Sequence, residues 1–143
     1  MAAVALMSRL LGGEAMTGPL RSERDVVSLA RRGVPTGAFE HFLNSIGFHY
    51  NAIEPAVMPR RTFERRKRAN EPLTPVESDR LLRLVRLVAL AEETFGDRQR
   101  ARDWLGRGTR AFGGRAPIDM ADTDGGARAV ETLLGQIGHG IAA

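Results

Sequence analysis

The stretch LTPVESDRLLRLVRLVALAEETFG, residues 73 to 96, constrains the fold more than any other part of the chain. Thr74 is placed to cap a helix, Pro75 takes the first helical position, and Glu77 closes a capping box three residues after the cap. From there Leu81, Leu84, Val85, Val88, Ala91 and Phe95 recur at helical spacing up to the terminator Gly96, predicting a helix about 31 Å long at 1.5 Å per residue. Leu82, Leu87 and Leu90 widen the apolar surface beyond one stripe, so the helix is expected to be packed on two sides, between an N-terminal and a C-terminal helical unit.

Other segments follow the same period, and no alternating or β-branched run is long enough to suggest a sheet, so the expected class is all-α. Ser22 is placed to cap a helix carrying Val26, Val27, Leu29 and Ala30 that stops at Gly33. Thr36 is expected to cap a second, with Phe39, Phe42, Leu43 and Ile46 in one stripe ending at Gly47. Asn51 with Glu54 reads as a capping box for a short helix with Pro55 in its first turn, and a pause at Val57, Met58 and Pro59 precedes a further helix from Arg60 to Ala69. After Gly96 the chain becomes glycine-rich, and Thr123 is placed to cap a last helix through Val130, Leu133, Leu134 and Ile137, closed by Gly138 as a left-handed cap. The implied organisation is a flexible arm over residues 1–20, a helical region over 21–95, and a small C-terminal domain over 96–143.

With no cysteine in 143 residues, disulfides, thiolate zinc sites and cysteine nucleophiles are excluded, and a reducing cytoplasm is the expected compartment. No apolar run approaches the roughly 20 residues that span a bilayer. The opening apolar stretch has no basic residue ahead of it and is interrupted by Arg9, unlike a signal peptide.

The segment PRRTFERRKRAN places Arg60, Arg61, Arg65, Arg66, Lys67 and Arg68 within nine residues, offset only by Glu64. Like charges three and four apart on a helix repel, so such an array is favourable chiefly beside a polyanion. A short helix, a break and a basic helix have the layout of a helix-turn-helix whose second helix enters the major groove. In that geometry Arg60, Arg61 and Thr62, near the helix N-terminus, face base edges or phosphates, and the later cations neutralise the backbone.

Catalytic and metal chemistry find little support. Asp122, Asp124, Gly125 and Glu131 match positions of a calcium loop, but Met120 stands at its first position, and capping of short helices explains the acids better. His41, His49 and His139 are scattered, no Ser lies in a GxSxG turn, and the glycines at 106 and 108 lack a phosphate loop's strand. No active site, cofactor or metal is expected. Trp104, the single Trp, is expected to anchor the C-terminal domain against the last helix near Val130 and Leu134. The ending LLGQIGHGIAA is uncharged apart from His139, whereas termini are ordinarily polar and solvated.

Taken in order, RRTFERRKRANEPLTPVESDRLLRLVRLVALAEETFGD, ARDWL and AFGGRAPIDMADTDGGARAVETLLGQIGHG, spanning about residues 57 to 141, resemble antitoxins of the Xre/MbcA/ParS type. The resemblance implies an all-α homodimer with an Xre-like helix-turn-helix that represses its own promoter, followed by a toxin-binding C-terminal domain. It implies as partner a RES-domain toxin that consumes NAD, held in a higher-order complex, with the antitoxin's C-terminal segment obstructing the toxin's active site. The toxin contacts it implies are Trp104, Phe112, Ile137, Gly138, His139, Gly140, Ile141, Ala142 and Ala143, the small residues of the tail suiting a narrow pocket. A helix-turn-helix regulator without a toxin is the alternative reading.

Overall fold

The computed structural model describes residues 3–140, and its architecture is organised by the helix that the capping box announces. We number its α-helices α1 Ala3–Leu10, α2 Glu14–Thr17, α3 Glu23–Arg32, α4 Thr36–Ile46, α5 Tyr50–Ile53, α6 Arg60–Ala69, α7 Pro75–Phe95, α8 Arg98–Leu105 and α9 Asp124–Gly138. Two 3₁₀ segments, Arg110–Phe112 and Pro117–Asp122, lie between α8 and α9. Among the described residues there is no strand.

At the start of α7 the Glu77 amide donates to Thr74 Oγ1 at 3.2 Å and the Thr74 amide donates to Glu77 Oε1 at 2.9 Å, so both halves of the capping box are made. Gly96 ends the helix with φ of 66°. Leu81, Leu82, Leu84, Val85, Leu87, Val88, Ala89 and Ala91 are all buried. At roughly 100° per residue they cover an arc of about 220°, twice the width of an ordinary amphipathic stripe. The arc is filled by α1, α3, α8 and α9, all of which pack on α7. One continuous hydrophobic core therefore runs from Val4 to Leu134, with α7 shared by the N-terminal and C-terminal halves.

The expectation of a flexible arm over residues 1–20 is corrected from residue 3 onward, residues 1 and 2 lying outside the described residues. α1 lies on α7 with Val4, Leu6, Met7 and Leu10 buried, and Leu11 just beyond it has no exposed surface. Arg9 does not interrupt the helix, because it faces out and pairs with Glu92 of α7. Gly12 and Gly13, with φ of 97° and 83°, then turn the chain into α2.

Ser22 caps α3 as expected, accepting from the Asp25 amide. Two other expected caps are not formed. Thr36 is the first residue of α4, behind Pro35, and α5 begins at Tyr50 behind His49, without a box between Asn51 and Glu54. Burial of Ile53 and packing of Tyr50 against Phe39 fix where α5 starts, and Pro55 falls after it.

The loop from α3 to α4 is clamped to the entrance of α7. Val34 donates its amide to Ser78 Oγ at 2.8 Å, and Leu73 donates its own to the Val34 carbonyl at 2.9 Å. Gly33 is required here twice over: its φ is 94°, and a Cβ would stand 2.4 Å from the Leu73 carbonyl oxygen. On the far side, Arg102 of α8 donates to the Ser45 carbonyl at 3.0 Å, satisfying an orphan carbonyl near the end of α4.

Thr123 caps α9, accepting from the Gly126 amide at 2.9 Å, and Ala127, Val130 and Leu134 are its buried residues. The left-handed glycine expected at Gly138 is displaced: Gly138 is the last helical residue, and Gly140, with φ of 72°, makes the turn.

Candidate DNA-binding helix and C-terminal surface

The helix-turn-helix is held by three aromatic rings. Phe39 of α4 and Phe63 of α6 have centroids 4.6 Å apart, and Tyr50 of α5 lies 6.1 Å from Phe39 and 6.3 Å from Phe63. The Tyr50 hydroxyl donates to the Met58 carbonyl at 2.9 Å, fixing the turn that leads into α6. Burial, joined by nearby carboxylates, pushes the Tyr50 phenol well above its ordinary pKa, so it remains a donor through the physiological range.

Phe63 is the residue that seats α6 on the body, and it sorts the six cations of that helix. In steps of roughly 100°, Arg60, Arg66 and Lys67 lie within about 60° of Phe63, whereas Arg61, Arg65 and Arg68 lie about 140° to 160° away, on the outward side. The inner three are neutralised. Arg60 pairs with Glu64 at 3.3 Å and stands over the Tyr50 ring at 5.9 Å, and Lys67 pairs with Glu40 of α4. Arg66 grips Glu77 with two hydrogen bonds, Nε to Oε1 at 2.7 Å and Nη2 to Oε2 at 3.0 Å, and reaches Glu71 at 3.3 Å.

These bonds hold the Arg66 guanidinium more firmly protonated than usual. Partial burial alone raises the Glu77 pKa, but the Arg66 and Thr74 hydrogen bonds outweigh it and bring the carboxyl below its ordinary range. Expecting Arg66 to face DNA is therefore corrected: it is a latch between α6 and the capping box of α7. Thr62 is half-buried beside the stripe. Arg61, Arg65 and Arg68, spaced i, i+4 and i+7, are exposed and have no carboxylate within ion-pair distance among the described residues.

In the C-terminal half, Trp104 is half-buried with its ring 5.6 Å from that of Phe95 at the end of α7. Its aromatic partner is thus on α7. Phe112 and Ile137 are half-buried, while Gly138, His139 and Gly140 are exposed at the tip of α9. His139 Nδ1 lies 2.7 Å from the Gly135 carbonyl oxygen. The remaining expected toxin contacts, Ile141, Ala142 and Ala143, lie outside the described residues.

The segment resembling a calcium loop forms a 3₁₀ turn and the start of α9 instead, and a Cβ on Gly126 would stand 2.0 Å from the Met120 carbonyl oxygen. No group of three His, Cys, Asp or Glu residues is placed to hold a metal among the described residues. Among them, no helix is long and apolar enough to cross a membrane.

Two family models match the chain. The antitoxin Xre-like helix-turn-helix domain covers residues 25–86, and the antitoxin Xre/MbcA/ParS C-terminal toxin-binding domain covers residues 90–140. The chain is 39% identical over 84 residues to an antitoxin Xre of Pseudomonas putida, covering 59% of this chain and 53% of that protein. It is 39% identical over 82 residues to an antitoxin Xre of Photorhabdus laumondii, covering 57% and 55% respectively. It also resembles a Prs ADP-ribosylating antitoxin of a Sphingobium species, 26% identical over 129 residues and covering 83% and 81%. The chain spans about half the length of the antitoxin Xre proteins it matches. With α3 to α7 matched by the first domain and the end of α7 to Gly140 by the second, the chain belongs to the Xre/MbcA/ParS family of antitoxins.

Proposed function

We propose that this chain is an antitoxin that represses its own operon and neutralises a RES-domain, NAD-consuming toxin. Residues 21–95 bind promoter DNA as a homodimer, and residues 96–143 bind the toxin, with the segment from Ile137 onward entering its active site. The observation that carries the reading is a charged division of labour within one core: three cations of α6 are left unpaired and outward on the second helix of a helix-turn-helix, while a matched toxin-binding domain ends in an exposed tip at Gly138–Gly140. Unpaired arginines on a recognition helix suit phosphates and base edges, and short side chains at a helix tip suit a narrow cleft. The name of the Sphingobium relative refers to ADP-ribosylation, a chemistry that consumes NAD, in keeping with such a partner.

The test is truncation. A chain ending at Gly138 keeps the core intact, since Leu134 is the last buried residue of α9. It is expected to fold, dimerise and bind its promoter as the full chain does, while NAD in cells co-expressing the toxin falls. A truncated chain that protects NAD as well as the full chain rules out the plug.

A further inference from the structure

We infer that the outward face of α8 and the loop after it form an electrostatic docking surface for an acidic patch on the toxin, an inference that rests on the toxin-binding reading above. α8 presents different surfaces on neighbouring faces. Ala101 and Leu105 enter the core, and Arg102 is used up on the Ser45 carbonyl. The adjacent face carries Arg100 and Trp104 at i and i+4, Arg107 follows just past the end of the helix, and the 3₁₀ turn beyond adds Arg110 and Phe112.

Backbone geometry holds that turn in place. Thr109 donates its amide to the Arg115 carbonyl at 3.1 Å, Gly114 donates to the Thr109 carbonyl at 2.9 Å, and a Cβ on Gly108 would stand 2.4 Å from the Gly114 carbonyl oxygen. The loop is closed and leaves no room for a side chain at that crossing.

Charge gives the surface its partner. Residues 97–115 hold six arginines against two aspartates, and both aspartates act locally: Asp97 caps α8 and Asp103 accepts from Gln99 at 2.8 Å. Arg100, Arg107 and Arg110 are exposed and unpaired among the described residues, unlike the inner cations of α6, each of which has its glutamate. Uncompensated positive charge of this kind is destabilising in the free protein and is complemented by a negative surface. Half-buried Trp104 and Phe112 among the arginines give the composition of a protein–protein contact, with apolar area at the centre that a phosphate backbone would leave unused.

Steering of this sort acts mainly on the rate of association. The test uses the full chain and the purified toxin encoded beside its gene, with association and dissociation rates measured across a salt series. Arg100→Glu, Arg107→Glu and Arg110→Glu together are expected to slow association at low salt by about tenfold or more and to flatten its salt dependence, with a smaller change in dissociation. The melting temperature should not fall, because these side chains have no partners to lose, and promoter binding compared at high salt, where long-range charge is screened, should hold. Should the reversals disturb folding, the Arg→Gln triple variant supplies the same comparison, with a smaller slowing expected.

A triple variant that associates like the wild type overturns the inference. So does one that loses affinity for duplex or single-stranded oligonucleotide while its toxin kinetics hold, which assigns the surface to nucleic acid. A wild-type chain that does not bind the toxin sinks the antitoxin reading as well, so the two failures are told apart by the wild-type control.

Discussion

Replacing Arg61, Arg65 and Arg68 together with Gln tests the division of charge on α6. The three side chains are exposed and unpaired, so their removal takes no ion pair from the fold and leaves Arg66 on Glu77. If each neutralises one phosphate, the slope of log K against log salt should shrink by about 0.9 per contact, or about 2.7 per bound chain. Between 50 and 200 mM salt the wild type should then lose roughly 40-fold more affinity per bound chain than the variant. The assay is fluorescence anisotropy on the chain's own promoter and on a scrambled duplex of equal length. Arg61, in the first turn of α6, is also placed to reach a base edge, and if it does so, preference for the promoter over the scrambled duplex falls as well. Arg66→Gln is the control: it breaks the latch, so the melting temperature should fall more than the slope. A triple variant with unchanged slope and an intact melting curve would refute the assignment and leave the stripe an ordinary solvated face.

Ser78→Ala should destabilise the fold by about 1 to 3 kcal/mol in urea titration, because the Val34 amide loses its partner in a fully buried site. Met7→Ala should cost about 2 to 5 kcal/mol by the same measure, the range for emptying a core position; a cost near zero would restore the view of residues 1–20 as a loose arm. Glu77 has a pKa depressed below its ordinary 4.5, so its contribution is fully present above that value and is lost as pH falls through the lower folded value. Melting temperature should accordingly drop on acidification below about pH 4.5, and Glu77→Gln should flatten that part of the profile while lowering stability at neutral pH. A Glu77→Gln profile as steep as the wild type's would assign the acid sensitivity to other carboxylates.

Much of the fold was legible because its decisive signals are local. The capping box at Thr74 and Glu77, the caps at Ser22 and Thr123 and the stops at Gly33, Gly47 and Gly96 each depend on a few neighbouring residues, and all are made in the structure. What was lost depends on distant partners. α1 carries Val4, Met7, Leu10 and Leu11 at helical spacing, yet the chain shows Arg9 as a charge interrupting an apolar stretch until Glu92, 83 residues away, is placed beside it. Asn51 and Glu54 have the letters of a cap, but Tyr50 takes the helix start because its ring completes the cluster with Phe39 and Phe63.

The site divides along the same line. That residues 60–68 are basic is plain from composition, but which cations are available is decided by the one apolar residue among them. Once Phe63 is taken as the inward anchor, the helical period alone turns Arg61, Arg65 and Arg68 outward and brings Arg60, Arg66 and Lys67 toward the body. A wheel drawn on Phe63 would have found the stripe without a structure. It would not have found the latch, since Glu77 has two roles that sequence shows only one at a time: cap of α7 and bidentate partner of Arg66. That shared carboxylate joins the proposed DNA-binding helix to the helix on which the toxin-binding half is built. The orientation of α6 is thereby tied to α7, so a perturbation at the start of α7 should reach promoter binding with every outward arginine still in place.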